Sequence, residues 1–217
     1  MSSFLVNKVG RMNLYDEKHQ LILKTATQVF LRKGYLATNM EEIATEASVS
    51  KQTVYKHFTS KEALFIEIIT NLTSRKTEES YNTLPVIDAV TDVRKFLVDY
   101  ALAELSTLLT PEVIQLRRLV IGEAERFPNL AAIYFKNGPQ VAFEKLSELF
   151  AHFCKRNLLQ IADIKKAAED FNWMVLSAYL NKAMFLGESS LPKLKEMRKH
   201  AEHSVSIFLK FYGKVEK

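Results

Sequence analysis

The sequence predicts an all-α protein in two parts, a three-helix N-terminal head and a larger C-terminal helical bundle. Three observations carry this. Only 6 glycines and 5 prolines occur in 217 residues, and the helix formers Leu, Ala, Lys and Glu are abundant. Apolar residues recur at three- and four-residue spacing through the stretches between those breakers. Residues 38–64 hold three helix-start signals in close succession, which only short helices fit.

Composition bounds what the chain can be. Apolar residues make up 47% of it, enough for a substantial core. No run reaches the roughly 18 uninterrupted apolar residues of a membrane span, so no membrane partner is expected. The opening residues, MSSFLVNKVGRMNLYDEK, lack the apolar core and cleavage site of a signal peptide. A single cysteine, Cys154, excludes an internal disulfide framework and fits a reducing cytoplasm. The net charge of +5 permits an anionic partner without establishing one.

Residues 1–13 read as a flexible arm carrying Lys8 and Arg11, either a solvated tail or a segment reaching phosphates or a minor groove. Residues 15–33 place Leu21, Ile22, Ala26, Val29 and Phe30 on one helical face, and Gly34 stops that helix. Thr38 and Glu41 form a capping box for a short helix whose Met40, Ile43, Ala44 and Ala47 share one apolar face. Ser48-Val49 breaks it, and Ser50 caps a second short helix through Phe58. On that second helix Val54 and Phe58 point inward, while Gln52, Thr53, Lys56 and His57 point outward. Thr59 and Glu62 box the start of a connecting helix over 61–82, inner stripe Leu64, Phe65, Ile68, Ile69 and Leu72. The head proper is 14–62. Two short helices on a tight turn, the second polar and basic outside, make a helix-turn-helix.

The second domain, 83–217, follows the break at Leu84-Pro85. Its helices are expected over 86–109, from Thr110-Pro111 to about 126, over 129–156 with a kink at Asn137-Gly138-Pro139, over 164–186, and from Leu191-Pro192 to about 212. No internal repeat or low-complexity segment interrupts them.

Residues 34–64 carry Gly34-Tyr35, Ala37-Thr38, Ile43-Ala44, Ala47, Val49-Ser50, Tyr55, His57-Phe58 and Lys61-Glu62. That set resembles the DNA-binding domain of the TetR family of bacterial transcriptional regulators. One departure is Ser48, where the family usually has a turn glycine; serine at positive φ costs on the order of 1 kcal/mol. Roughly residues 90–212 resemble the C-terminal domain of the AefR-like branch, through RRLVIGEAERFPNLAAIYFKNGPQ and ADIKKAAEDFNWMVLSAYL. This resemblance implies a bundle around an effector cavity, dimerised through its last two long helices.

Charged helix faces are ordinarily just solvated. At the start of the second helix of this motif, however, Lys51, Gln52, Thr53 and Lys56 are expected to contact DNA bases. Gln52 matches adenine N6/N7, Lys51 matches guanine O6/N7, and the Thr53 methyl suits a thymine methyl. The resemblance implies phosphate contacts from Tyr55, His57 and Lys61, and the Thr38 and Thr45 hydroxyls are candidates for more. Glu41, Glu42 and Glu46 should face solvent or the helix macrodipole, with Glu41 occupied in its cap.

Most aromatics of the second domain should be core, yet some could line a cavity. The effector candidates are Phe96, Tyr100, Arg117, Phe127, Tyr134 and Trp173, with Arg118 and Glu123 as further polar options. Trp173, Ala178 and Tyr179, with Val205, Phe208, Leu209 and Tyr212, offer a homodimer interface; the alternative is burial against the chain's own helices. His200 with His203, or His152 with Cys154, lacks the ligands that would complete a metal site. No cofactor motif, Walker loop, nucleophile elbow or HExxH is present, so an enzyme is not expected. The expected partners are a double-stranded DNA operator, a small-molecule effector and a second copy of the chain. The rival reading is a helical ligand-binding or scaffold protein that keeps the fold without sequence-specific DNA recognition.

Overall fold

The computed structural model describes residues 13–75 and 84–213, and all regular elements among them are helical. The arm expected over 1–13 lies outside the described residues except for Asn13, as does the 76–82 end of the connecting helix. The chain divides into two compact units after Ile68.

In the first unit, α1 spans Leu14–Lys33 because Asn13 accepts the Asp16 amide at 2.9 Å and Gly34, at φ 86°, turns the chain away. α2 is Met40–Glu46, but its cap differs from the expectation. Asn39, not Thr38, is extended ahead of the first turn, and its Oδ1 accepts the Glu42 amide at 2.9 Å. Asparagine caps at least as well as threonine, so the start shifts one residue and no Thr38–Glu41 box forms. The α2 end is a Schellman turn, with the Ser48 amide donating to Thr45 O and the Val49 amide to Ala44 O. Ser48 adopts φ 54°, the conformation foreseen for the turn glycine's replacement.

α3 is Lys51–His57, capped by Ser50, whose Oγ accepts the Thr53 amide at 3.1 Å. α4, Lys61–Thr70, starts at the expected residue but is capped by Ser60 rather than Thr59: the Ala63 amide donates to Ser60 Oγ at 3.0 Å. Ile22, Phe30, Ile43, Val54, Phe58, Leu64, Phe65 and Ile68 form the buried interior of this unit. Phe30, Tyr35 and Phe65 meet ring to ring, with centroids 4.9–5.8 Å apart.

After α4 the chain widens into a π-helical turn, Asn71–Arg75. The second unit has a 3₁₀ turn at Ile87–Ala89, then α5 (Val93–Leu108), α6 (Pro111–Gly122), α7 (Pro128–Phe135), α8 (Val141–Lys155), α9 (Ile164–Leu186) and α10 (Leu194–Tyr212). α5 begins seven residues later than the sequence suggested, because Asp92 supplies a cap that Val86 cannot, accepting the Lys95 amide at 2.9 Å. α6 ends at Gly122 rather than near 126, and residues 123–126 form turns before Pro128 opens α7. The expected kink at Asn137-Gly138-Pro139 is a π-helical stretch, Lys136–Gln140, joining α7 to α8. Pro139 has no N–H to donate, and a widened turn absorbs that loss without ending the helix. Phe150, Phe171 and Phe208, from α8, α9 and α10, meet at the centre with centroids 5.0–5.7 Å apart.

Candidate nucleic-acid interface

Val54 and Phe58 are sealed in the core, and this fixes which side of α3 faces outward. Lys51, Gln52, Tyr55 and Lys56 are exposed there, with Thr53 half-buried beside them. The Thr53 hydroxyl lies 2.8 Å from Ser50 Oγ, which turns the hydroxyl to the cap. Lys51 is ion-paired with Glu41 at the start of α2, so Glu41 is engaged across the motif rather than in a cap. That contact holds the Glu41 carboxyl below its ordinary pKa and the Lys51 ammonium above its own, through the hydrogen bond first and charge second. Glu42 pairs with Lys33, and Glu46 with Arg32 at 2.5 Å. The acids of α2 are thus neutralised by basic neighbours instead of facing solvent alone.

Of the residues expected on phosphate, two have other work. Lys61 Nζ donates to the carbonyls of Tyr35 and Thr38 at 2.9 Å each and to that of Leu36 at 3.4 Å, lying 4.6 Å over the Tyr35 ring. An ammonium with three donors directed at three carbonyls is a structural clamp, and Lys61 is corrected from a phosphate contact to that role. Thr38 is buried and its hydroxyl donates to Gly34 O at 2.8 Å, so it too is withdrawn. The Thr45 side chain is exposed, with its hydroxyl donating to Glu41 O at 3.0 Å. Tyr55 presents an exposed ring. His57 is half-buried, its ring centroid 4.1 Å from that of Tyr15 and 5.5 Å from that of His19, which itself meets Glu67 at 2.5 Å. Burial, and then the positive neighbours His19, Lys56 and Lys18, hold the His57 imidazole below its ordinary pKa.

The effector candidates of the second unit are spread over several contacts. Phe96 and Tyr100 are buried, packed on Phe153 and Phe171 respectively. Tyr134 is buried with its hydroxyl accepting from Arg117 Nε at 3.3 Å, and Phe127 is half-buried. Arg117 and the 44%-exposed Trp173 line an open cleft of about 480 Å³ with Ile121, Ala178 and Asn181. Two polar residues of the interior lie outside the candidates drawn from the sequence. Glu104 is 3% exposed, and burial pushes its carboxyl up to about 8; Asn172 is also 3% exposed. The mark of Glu104 in the sequence is a polar residue in line with aromatic ones, Phe96–Tyr100–Glu104 at four-residue steps.

The dimer candidates also divide. Val205 and Phe208 are wholly buried in the chain's own core, so they cannot meet a second chain. Here the alternative reading, intrachain burial, is the correct one. Tyr212 donates to Asp170 at 2.9 Å and its ring packs on Phe208, while Leu209 lies partly against the same core. Tyr179 is half-buried beside His200. Trp173 and Ala178 are exposed, and so is Phe185, which lies in line with Ala178 two turns on along α9.

A family model described as bacterial regulatory proteins, tetR family, matches residues 22–68. Another, the AefR-like transcriptional repressor, C-terminal domain, matches residues 95–214. A solved TetR-family regulator from Mesorhizobium loti is 34% identical, with a TM-score of 0.84 over 94% of this chain and 100% of its own. The flavonoid-responsive regulator FrrA is 29% identical, with a TM-score of 0.73 over 92% of this chain and 99% of its own. The transcriptional regulator YerO of Bacillus subtilis is 47% identical over 51 residues, 24% of this chain and 18% of YerO, so this chain spans under a fifth of that relative. These are transcriptional regulators and not enzymes. The chain belongs to the TetR family of bacterial transcriptional regulators, with that family's helix-turn-helix head and an AefR-like C-terminal domain.

Proposed function

We propose that the protein is a cytoplasmic, homodimeric transcription factor that reads a palindromic operator through α3 and is released from it by a small, apolar effector. The observation that carries this reading is the outward face of α3: Lys51, Gln52, Tyr55 and Lys56 stand exposed on a helix clamped from behind by Val54 and Phe58. Two such helices, one per subunit, read half-sites one or more helical turns apart, and one alone reads too few base pairs for useful specificity. The exposed α9 residues Trp173, Ala178 and Phe185 support pairing through that helix. The match to an AefR-like repressor domain favours repression, and the flavonoid response of FrrA favours an aromatic effector. Effector and operator then oppose each other by the same factor in either direction.

The test is selection of DNA from a random pool by the purified protein, repeated with Gln52→Ala and Thr53→Ala. The wild type should enrich a two-fold symmetric site, and each variant should relax it at one position per half-site, losing about 1–3 kcal/mol of discrimination. Enrichment of no sequence, or the same site from all three proteins, would refute the reading.

A further inference from the structure

Two side chains are sealed inside the second unit with polar atoms left over. Glu104, on α5, has no hydrogen-bond partner for either carboxyl oxygen, and Asn172, on α9, has none for Oδ1. A ring contact ties together the two helices that carry them. Phe96, Tyr100 and Glu104 follow one another at four-residue steps, so they share a stripe of α5. The Phe96 ring meets Phe153 of α8 edge-on at 5.4 Å, and the Tyr100 ring meets Phe171 at 6.3 Å. Phe171 immediately precedes Asn172. The stripe therefore faces α8 and α9, and Glu104 lies one turn beyond Tyr100 along it.

A buried polar group without a partner is costly, and a core needing only volume would be filled by leucine or methionine here. Polar groups in such a place make sense when something else completes their hydrogen bonds. The chemistry of that partner is constrained. Burial keeps the Glu104 carboxyl protonated at neutral pH, so it offers one O–H donor and one carbonyl acceptor, and Asn172 Oδ1 offers a second acceptor. A cationic partner would need two charges taken out of water together, which an aromatic interior does not favour. An uncharged hydroxyl can give its proton to one acceptor and take the Glu104 proton on its oxygen. The walls beside it are aromatic rings.

We infer that Glu104 and Asn172 form the polar end of the effector site and bind the hydroxyl of an uncharged, hydroxylated aromatic molecule. This rests on the effector-controlled reading and names the ligand class for it. Ring stacking holds the body of the molecule, and the buried pair separates a phenol from its ether.

The test uses 4-phenylphenol and 4-methoxybiphenyl, which share a biphenyl body and differ in one O–H, titrated into the full-length protein by calorimetry. The wild type should bind the phenol about tenfold tighter than the ether. Glu104→Leu and Asn172→Leu should each bring that ratio close to one while leaving ether binding intact. Glu104→Gln, which keeps polar atoms in place, should retain part of the preference. Glu104→Leu should also melt higher than the wild type, since it removes an uncompensated polar group. Equal binding of the two probes by wild type, no binding of either up to its solubility limit, a preference surviving both leucine variants, or a lower melting point for Glu104→Leu would each overturn the proposal. No DNA is involved. A protein that selects an operator but ignores the phenol sinks only this site, and one that prefers the phenol but selects no operator sinks only the regulator reading.

Discussion

Single residues here take roles that their chemistry permits but their sequence position does not announce. Lys61 sits where the family resemblance implied a phosphate contact, yet its ammonium clamps the α1–α2 loop through the Tyr35, Leu36 and Thr38 carbonyls. A hydrogen bond from a charged donor is worth about 1.5–3 kcal/mol, so Lys61→Ala should lower stability by roughly 2 kcal/mol in denaturant unfolding. Glu104 makes a second prediction. The folded protein keeps this proton up to about pH 8, whereas the unfolded chain releases it near its ordinary value of 4.5. The unfolded state therefore binds fewer protons across that window, and folding weakens as pH rises through it, by up to a few kcal/mol. Glu104→Gln should flatten that slope in unfolding curves taken between pH 5 and 8. Ser48 supplies a third. Its φ of 54° suits glycine better than any β-branched residue, so Ser48→Val should cost about 1–2 kcal/mol while Ser48→Gly costs nothing measurable.

At the scale of elements, local chemistry decides what a reader of the chain can see. α3 and α9 were legible to within a residue because each has a strong cap at one end and an unambiguous stop at the other: Ser50 and Phe58, then Asp163 and Gly187. The caps of α2 and α4 each fall one residue later than the sequence suggests, because two good capping residues stand side by side and only backbone geometry chooses between Thr38 and Asn39, or Thr59 and Ser60. Helix content was visible, but the π-helical form at Lys136–Gln140 was not; proline marks trouble in a helix without saying which remedy the chain adopts. The outward face of α3 could be read from spacing alone. The buried positions of Val205 and Phe208 could not, since an apolar stripe looks the same whether its partner is the same chain or another. The pairing of Glu41 with Lys51 needed the turn between α2 and α3 folded before the two could be matched.

For the whole molecule, the exposed side of α9 yields a further expectation. Putting a charge in the middle of that face, as in Ala178→Glu, should split a dimer, and sedimentation should then report half the wild-type mass while the helical content stays the same. The inward turn of Lys61 reaches past its own loop to the ion atmosphere of a bound duplex. Each cation that neutralises a phosphate displaces nearly one condensed counterion, and the displaced ions set how steeply affinity falls as salt is added. An ammonium committed to carbonyls displaces none. Titrations at several potassium concentrations should therefore give Lys61→Ala and wild type the same gradient of log K against log salt, the result expected of a head that meets a duplex with one cation fewer than the sequence offers.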